Sequence, residues 1–157
     1  MRDIPGQVGP MADWPRVEAM PGARRALRAL SVLPVLCVAT NATDSDAVRV
    51  AEALERVGLR THLTHFFTSQ ELGARKPDPR FFENVALRLG IPPENLMAVG
   101  NDLRKDIGPA KRAGMNTVLV AHGQVPRSLE NVDLVLPTLG DLADLFLRWV
   151  GEDFPPG

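Results

Sequence analysis

The apolar positions of the chain change repeatedly between two patterns, continuous short runs and helical spacing. Short apolar runs predict strands at 35–40, 66–68, 96–99, 117–121 and 134–136. Between them, apolar residues recur every three or four positions and predict helices near 21–30, 43–58, 78–89, 103–113 and 139–150. Strands that alternate with helices in this way predict an α/β fold, a doubly wound parallel sheet with buried strands and helices on both faces.

The two ends of the chain differ in composition from this alternating part. Residues 1–20 are rich in proline and glycine, which predicts an irregular N-terminal arm that Trp14 and Val17 anchor to the body. Residues 21–150 are predicted to form a single α/β core domain. Residues 151–157 are predicted to be a frayed tail.

Composition narrows the class of protein without naming a function. The 157 residues are 45% hydrophobic and 24% charged, with a net charge of −1 and a pI near 6.3, which is ordinary for a soluble globular protein. Neither nucleic acid nor an anionic membrane is therefore expected as a partner. The chain has no apolar run of the ~20 residues that a membrane helix needs. Its single cysteine, Cys37, cannot form an internal disulfide, so a cytoplasmic location is the expectation.

Polar residues follow two of the predicted strands and precede one of the helices. Thr40 and Asn41 end the first strand, where a hydroxyl and free backbone amides can bind phosphate. Taken alone, they could equally end a strand and cap the next helix. Lys76 precedes Pro77, which disfavours the helical conformation at Lys76, and its ammonium suits a phosphate or a carboxylate. The alternative is a solvated lysine in a turn, with Arg75 as plain surface.

Two acids follow the strand at 96–99. Asp102 and Asp106 are four residues apart, so a helix that begins near Asp102 places both carboxylates on one face. Two such carboxylates repel each other unless a cation lies near them, and oxygen ligands suit Mg²⁺. The alternative is a helix-capping aspartate followed by an exposed helical acid. Gly100 makes this alternative weaker, because it lets the strand and the helix approach closely.

Three segments in this order resemble the haloacid dehalogenase (HAD) superfamily, above all its phosphoglycolate-phosphatase-like members. They are Thr40-Asn41, Lys76-Pro77-Asp78-Pro79 and Gly100-Asn101-Asp102-x-x-x-Asp106, and the resemblance covers residues 20–123. It implies a Rossmann-like core and hydrolysis of small phosphate esters with Mg²⁺.

The resemblance also implies a role for each residue of these segments. Thr40 and Lys76 would be catalytic, and Thr40, Asn41 and Lys76 would bind phosphate. Asp102 and Asp106 would hold Mg²⁺. Many relatives carry an acid directly after the glycine, where Asn101 stands here, so the first metal position is either Asn101 or Asp102.

The resemblance fails at the first motif. Relatives begin with an apolar strand that ends in Asp-x-Asp, whose first aspartate attacks phosphorus, and they carry a cap that selects the substrate. Residues 1–34 contain neither. The missing strand would lie between the Thr40 strand and the Asp102 strand. Either these two strands pair directly, as we expect, or another chain or segment fills the gap.

Three functions are compatible with these observations. The first is a HAD-type phosphatase, weak or inactive because its nucleophilic aspartate is absent. The second is a non-catalytic domain that binds phosphate, Mg²⁺ or a partner protein, and so a pseudoenzyme. The third is a receiver-like signalling domain, which the residue order disfavours. The expected partner is a small phosphorylated molecule or free phosphate, and an uncovered inner strand edge would favour a homo-oligomer.

Overall fold

The computed structural model describes residues 9–152, which form six α-helices and five β-strands. The helices are α1 (Ala23–Leu30), α2 (Ala47–Arg56), α3 (Ser69–Leu72), α4 (Arg80–Leu89), α5 (Gly108–Arg112) and α6 (Asp141–Glu152). The strands are β1 (Cys37–Thr40), β2 (His65–Thr68), β3 (Met97–Gly100), β4 (Asn116–Val120) and β5 (Leu134–Leu136). Strands and helices alternate, as the apolar pattern predicts, and the α/β fold class is confirmed.

The strands form two sheets, and the larger one is parallel throughout. β1 pairs with β2, and β3, β4 and β5 pair in that order. Gly100 at the end of β3 lies opposite Leu119, and Leu119 lies opposite Val135. The carboxyl ends of β3 and β4 therefore lie at the same edge, and residues that follow them are brought together there.

Two expectations about β1 and β3 are wrong. Within residues 9–152 the two strands do not pair with each other, so direct pairing does not close the gap. β3 is also not fully buried, because Met97 is 57% exposed and Val99 is 40% exposed. β1 is half-buried along its whole length. An apolar strand sequence shows that the strand can be buried, but it does not show that a covering element is present.

The residues of the chain divide into two compact units. The first contains residues 9–38, 47–66 and 138–152, and the second contains residues 39–46 and 67–137. The single domain predicted for 21–150 stays a prediction.

In the first unit, helix α1 packs against α6, and the short 3₁₀ turn Met11–Asp13 packs against α2. Gly22 lies so close to Gly140 that a Cβ at Gly22 would come within 2.4 Å of the Gly140 nitrogen. Arg25 of α1 donates to Asp144 of α6 at 2.9 Å. Trp14 is buried, and Arg56 of α2 donates to its carbonyl at 2.6 Å.

In the second unit, helices α4 and α5 contact each other, and α5 also packs on β4. The most deeply buried side chains here include Phe81, Ile107, Val118 and Leu119. This core supports the end of β3 and the turn that follows it, which carries both predicted metal ligands.

Helix boundaries differ from the sequence prediction at several places. The helix expected at 103–113 is a five-residue π-turn, Leu103–Ile107, followed by α5. Pro109 explains the break, because it has no N–H to donate to the preceding turn. Helix α2 is Ala47–Arg56, shorter at both ends than the helix predicted near 43–58. Helix α6 extends through Gly151 and Glu152, and residues 153–157 lie outside the described part.

No helix among the described residues is both long and apolar enough to cross a membrane.

Candidate functional site

Asn41 holds the backbone of Lys76 with both ends of its side-chain amide. Its Nδ2 donates to the Lys76 carbonyl at 2.9 Å, and its Oδ1 accepts from the Lys76 N–H at 2.8 Å. Asn41 directly follows the last residue of β1, so a rigid strand end sets the position of a residue 35 positions away. Asn41 is predicted as a phosphate ligand; its side chain acts here as a positioning group for Lys76.

Lys76 makes an ion pair with Asp106 in a partly buried position. Its Nζ lies 2.7 Å from Asp106 Oδ1, and the two side chains are only 15% and 17% exposed. The ammonium also lies 5.6 Å from the centre of the Phe81 ring, within range of a cation–π contact. A fixed, mostly desolvated ammonium interacts more strongly with an anion than a freely solvated lysine does.

Asp102 and Asp106 are linked through the backbone rather than through a shared cation. Asp106 Oδ2 accepts from the Asp102 N–H at 3.2 Å. The carboxylate of Asp102 caps the turn after β3, with its Oδ1 accepting from the N–H groups of Arg104 and Lys105 at 2.9 and 2.8 Å. Asp102 is thus a capping residue, as the alternative interpretation predicts. Asp106 is not the exposed helical acid of that interpretation, because it is partly buried and forms an ion pair with Lys76.

Gly100 allows Asp106 to reach this position. A Cβ at Gly100 would lie 2.4 Å from Asp106 Cβ and 2.7 Å from its Oδ2. Since no larger residue fits there without displacing Asp106, the glycine at the end of β3 is required by the carboxylate that pairs with Lys76.

The structure thus joins four of the predicted site residues in one chain of contacts: Asn41, Lys76, Asp106 and Asp102. Thr40 lies next to Asn41 at the end of β1, and its hydroxyl makes no hydrogen bond with a described residue. The sequence did not reveal that Asn41 would hold Lys76, because a side-chain bond over 35 positions leaves no local pattern. Arg75, which the sequence predicts to be plain surface, is exposed and also lines a surface hollow.

Metal binding by these residues depends on the two acids. Within residues 9–152 no three His, Cys, Asp or Glu side chains cluster as a metal site would require. The two carboxylates nevertheless suit Mg²⁺, which is commonly held by one or two carboxylates together with water and phosphate oxygens. Asn101, which is exposed, offers a neutral amide in the position between Gly100 and Asp102.

Cys37 in β1 is the chain's one cysteine, and it is not suited to act as a nucleophile. The thiol is half-buried, and burial raises its pKa above the ordinary value. A raised pKa keeps the sulfur protonated at neutral pH, so Cys37 is a poor nucleophile.

A family model described as haloacid dehalogenase-like hydrolase matches residues 7–114. The chain belongs to this family. The match includes β1, Lys76 and the turn with both acids, so the HAD membership rests on the segments that form the site.

Curated relatives of the HAD chain include phosphatases. A glyceraldehyde 3-phosphate phosphatase of Methanopyrus kandleri is 42% identical over 82 residues, which cover 52% of this chain and 35% of that protein. A phosphoserine phosphatase of Thermus thermophilus is 37% identical over 97 residues, covering 61% of this chain and 38% of that protein. The chain therefore spans little more than a third of the length of these two relatives.

A solved HAD-hydrolase of Bacillus subtilis, YfnB, has a similar fold. The TM-score is 0.67 at 24% identity, and the match covers 80% of this chain and 54% of that one. That protein is described as bound to magnesium.

Proposed function

We propose that this chain forms the phosphate- and Mg²⁺-binding part of a HAD-type phosphohydrolase site that takes small phosphate esters. The observation that carries the proposal is the partly buried Lys76–Asp106 pair, fixed by Asn41 on one side and by the Asp102 backbone on the other. It lies after β3, at the edge of a parallel sheet where α/β proteins bind ligands. The relatives named above act on glyceraldehyde 3-phosphate and phosphoserine, both of which are small phosphate esters.

Each side chain has a distinct part in the proposed site. Lys76 supplies a positive charge to phosphate oxygens, and Asp106 holds that ammonium in place. The Thr40 hydroxyl donates to a phosphate oxygen. Asn41 contributes by fixing Lys76, because both ends of its amide are already engaged.

Asp102 and Asp106 are the residues that would hold Mg²⁺. When bound, the ion would neutralise phosphate charge and act as a Lewis acid at the phosphoryl group. Asp102 is better placed than Asp106 for direct contact, since both oxygens of Asp106 already accept hydrogen bonds, from Lys76 and from the Asp102 N–H.

Turnover by the chain as given is proposed to be weak or absent. Covalent phosphoryl transfer needs a carboxylate free to attack phosphorus. Asp106 is paired with Lys76, and Asp13, an early aspartate, pairs with Arg49 in the first unit. Loss of a nucleophile commonly lowers kcat on the order of 10⁴ to 10⁶.

A phosphatase assay separates catalysis from binding. Hydrolysis of p-nitrophenyl phosphate is measured with and without Mg²⁺ for the wild-type chain and for Asp102→Asn, alongside calorimetric titration with inorganic phosphate. We expect saturable phosphate binding that Mg²⁺ strengthens, with no hydrolysis above background. Hydrolysis at ordinary phosphatase rates that Asp102→Asn abolishes would show that the chain is a complete enzyme, and absence of phosphate binding would refute the proposed site.

A second candidate function is a non-catalytic domain that also binds a partner protein. The exposed Met97 and Val99 on β3 favour it, because exposed apolar side chains on a strand mark surfaces that associate. Light scattering of the purified chain and of Met97→Lys tests this candidate. Association that the variant abolishes favours it, and a wild-type monomer at all concentrations opposes it.

A further inference from the structure

A surface hollow next to the Lys76 segment is lined by residues that the proposed site does not use. It measures about 600 Å³, and its lining comes from the second unit: Thr43, Ser69, Gln70, Gly73, Ala74, Arg75, Asp78 and Arg80. We call it the Arg75 hollow. Neither Lys76 nor Asp106 is among its lining residues, so it is a separate feature from the ion pair described above.

The charges in the Arg75 hollow do not cancel. Arg80 donates to both oxygens of Asp78, from its side chain at 2.6 and 2.9 Å and from its backbone N–H at 2.9 Å. These bonds hold the pKa of Asp78 below its ordinary value and neutralise the only acid of the lining. The Arg75 carbonyl accepts from the Asp78 N–H at 2.9 Å. Its guanidinium, however, makes no hydrogen bond or ion pair with a residue in the described part of the chain, so it remains the uncompensated charge of the lining.

Two neutral donors complement this guanidinium. The Thr43 hydroxyl and the Gln70 amide both line the Arg75 hollow, and neither side chain has a hydrogen-bond partner among residues 9–152. Ser69 is less suitable, because its hydroxyl already donates to the Ala42 carbonyl at 3.2 Å. A planar guanidinium, a hydroxyl and an amide that line one hollow form a donor set that suits phosphate or carboxylate oxygens.

The backbone around the Arg75 hollow is held in place before any ligand arrives. The two Asn41–Lys76 bonds tie the segment that carries Thr43 to the segment that carries Arg75. A capping box between Thr68 and Glu71 fixes the turn that carries Gln70. Because these donors sit on constrained backbone, an anion there would bind with a smaller cost in conformational entropy.

We propose that the Arg75 hollow binds the phosphate or carboxylate group of a small organic molecule. The anionic group would lie against the Arg75 guanidinium and accept from Thr43 and Gln70. The volume lies within the usual range for small-molecule sites, about 300–1,000 Å³, and exceeds what a single oxyanion fills. This inference goes beyond the proposed hydrolytic site and does not depend on it, since it would hold for a chain without turnover.

The test uses the full chain with Lys76→Met as background, which removes the ammonium of the other site. Inorganic phosphate and acetate are titrated separately, and amide shifts are followed by ¹H–¹⁵N NMR. We expect shifts at Thr43, Gln70 and Gly73 with at least one of the two anions, and the anion that causes them shows which oxyanion the site prefers. No shift at these residues with either anion would overturn the proposal.

The guanidinium is tested by Arg75→Gln, with Arg127→Gln as the matched control. Arg127 is exposed and lies outside the Arg75 hollow. We expect Arg75→Gln to weaken anion binding at least about fivefold, Arg75→Lys to keep part of it, and Arg127→Gln to leave it unchanged. Circular dichroism confirms that each variant is folded. Equal affinities for Arg75→Gln and Arg127→Gln would refute a site built on Arg75.

Discussion

The three-stranded sheet has a lysine–aspartate pair near each end of its strands: Lys76–Asp106 near the carboxyl ends and Lys111–Asp133 near the amino ends. Their distances are nearly equal, 2.7 and 2.6 Å, but the side chains of the first pair are 15% and 17% exposed and those of the second 37% and 42%. The first follows the carboxyl end of β3. The second lies at the amino end of β4, since Asp133 accepts from the Thr117 N–H at 2.8 Å.

The surroundings of each pair show how the proposed binding site differs from a structural bridge. Asp133 also accepts from the Thr117 hydroxyl, so its carboxylate connects the chain before β5 to β4. Lys76 is held through its backbone by Asn41, and its ammonium reaches the ligand-binding edge. Distance and charge alone therefore do not identify a site. Burial, backbone support and position on the sheet distinguish Lys76–Asp106 from Lys111–Asp133.

Gly100→Ala should have the largest effect on the Lys76–Asp106 pair and none on the Lys111–Asp133 pair. The added methyl group would collide with Asp106 and displace it from Lys76. We expect the free energy of unfolding to fall by about 1–3 kcal/mol in urea denaturation, and the phosphate-induced shifts at the Asn41 and Asp102 amides to be lost in an NMR titration. Gly73→Ala is the control: its φ of 66° makes alanine unfavourable there, which is not the case at Gly100, but no atom lies within 4 Å of the added carbon. A Gly100→Ala chain with wild-type stability and binding would contradict the close packing.

The same substitution in each pair, Lys76→Met or Lys111→Met, compares the two lysines directly. We expect Lys76→Met to weaken phosphate binding at the Asn41 and Asp102 amides at least about tenfold, since the main positive charge of the site is removed. Lys111→Met should leave that affinity unchanged and lower only the melting temperature. NMR titration with phosphate provides the affinities, and equal losses in the two variants would show that general charge, not the site, attracts the anion.

Asn41→Ala should weaken binding less than Lys76→Met does. It keeps the ammonium but removes two hydrogen bonds that fix the Lys76 backbone. We expect phosphate affinity to fall about threefold to tenfold, with a loss of about 1–3 kcal/mol in unfolding free energy. Asp44→Ala, on the same loop but with its side chain exposed, is the control. If Asn41→Ala binds phosphate as the wild type does, Asn41 has no positioning role.

Asp133→Asn should have the smallest effect, and that effect should depend on pH. Lys111 first, and then the Thr117 N–H, lower the pKa of Asp133 in the folded chain. A lowered pKa contributes stability above the unfolded pKa, and this contribution is lost as pH falls through the folded pKa. We therefore expect the variant to melt about 2–4 °C below the wild type at pH 7, with the difference shrinking below about pH 4. A difference that does not change with pH would exclude this charge as its cause.

The sequence predicted the site better than it predicted the surroundings of the strands. Because parallel strands end at a common edge, the residues after them could be placed together, and the contact of Lys76 with Asp106 agrees with that expectation. The exposure of Met97 and Val99 could not be predicted, because an apolar run is the same whether or not something covers it. The two hydrogen bonds from the Asn41 side chain to the Lys76 backbone could not be predicted either, since they depend on the fold and not on local spacing.

Pro109 is a sequence signal for the break in the helix predicted at 103–113. The apolar spacing at 103–113 favoured one helix, yet a proline that lacks an N–H separates the turn Leu103–Ile107 from α5. This break matters for the site, because Asp106 lies in the turn and accepts from the Asp102 N–H there.

The most direct test of the Lys76–Asp106 site is a phosphate titration of the wild-type chain with Mg²⁺, followed by ¹H–¹⁵N NMR. The proposed site predicts saturable shifts at Thr40, Asn41, Lys76 and Asp102, and none at Lys111, Thr117 or Asp133. Equal shifts in the two groups of residues, or no shift at Lys76 and Asp102, would contradict the proposed site.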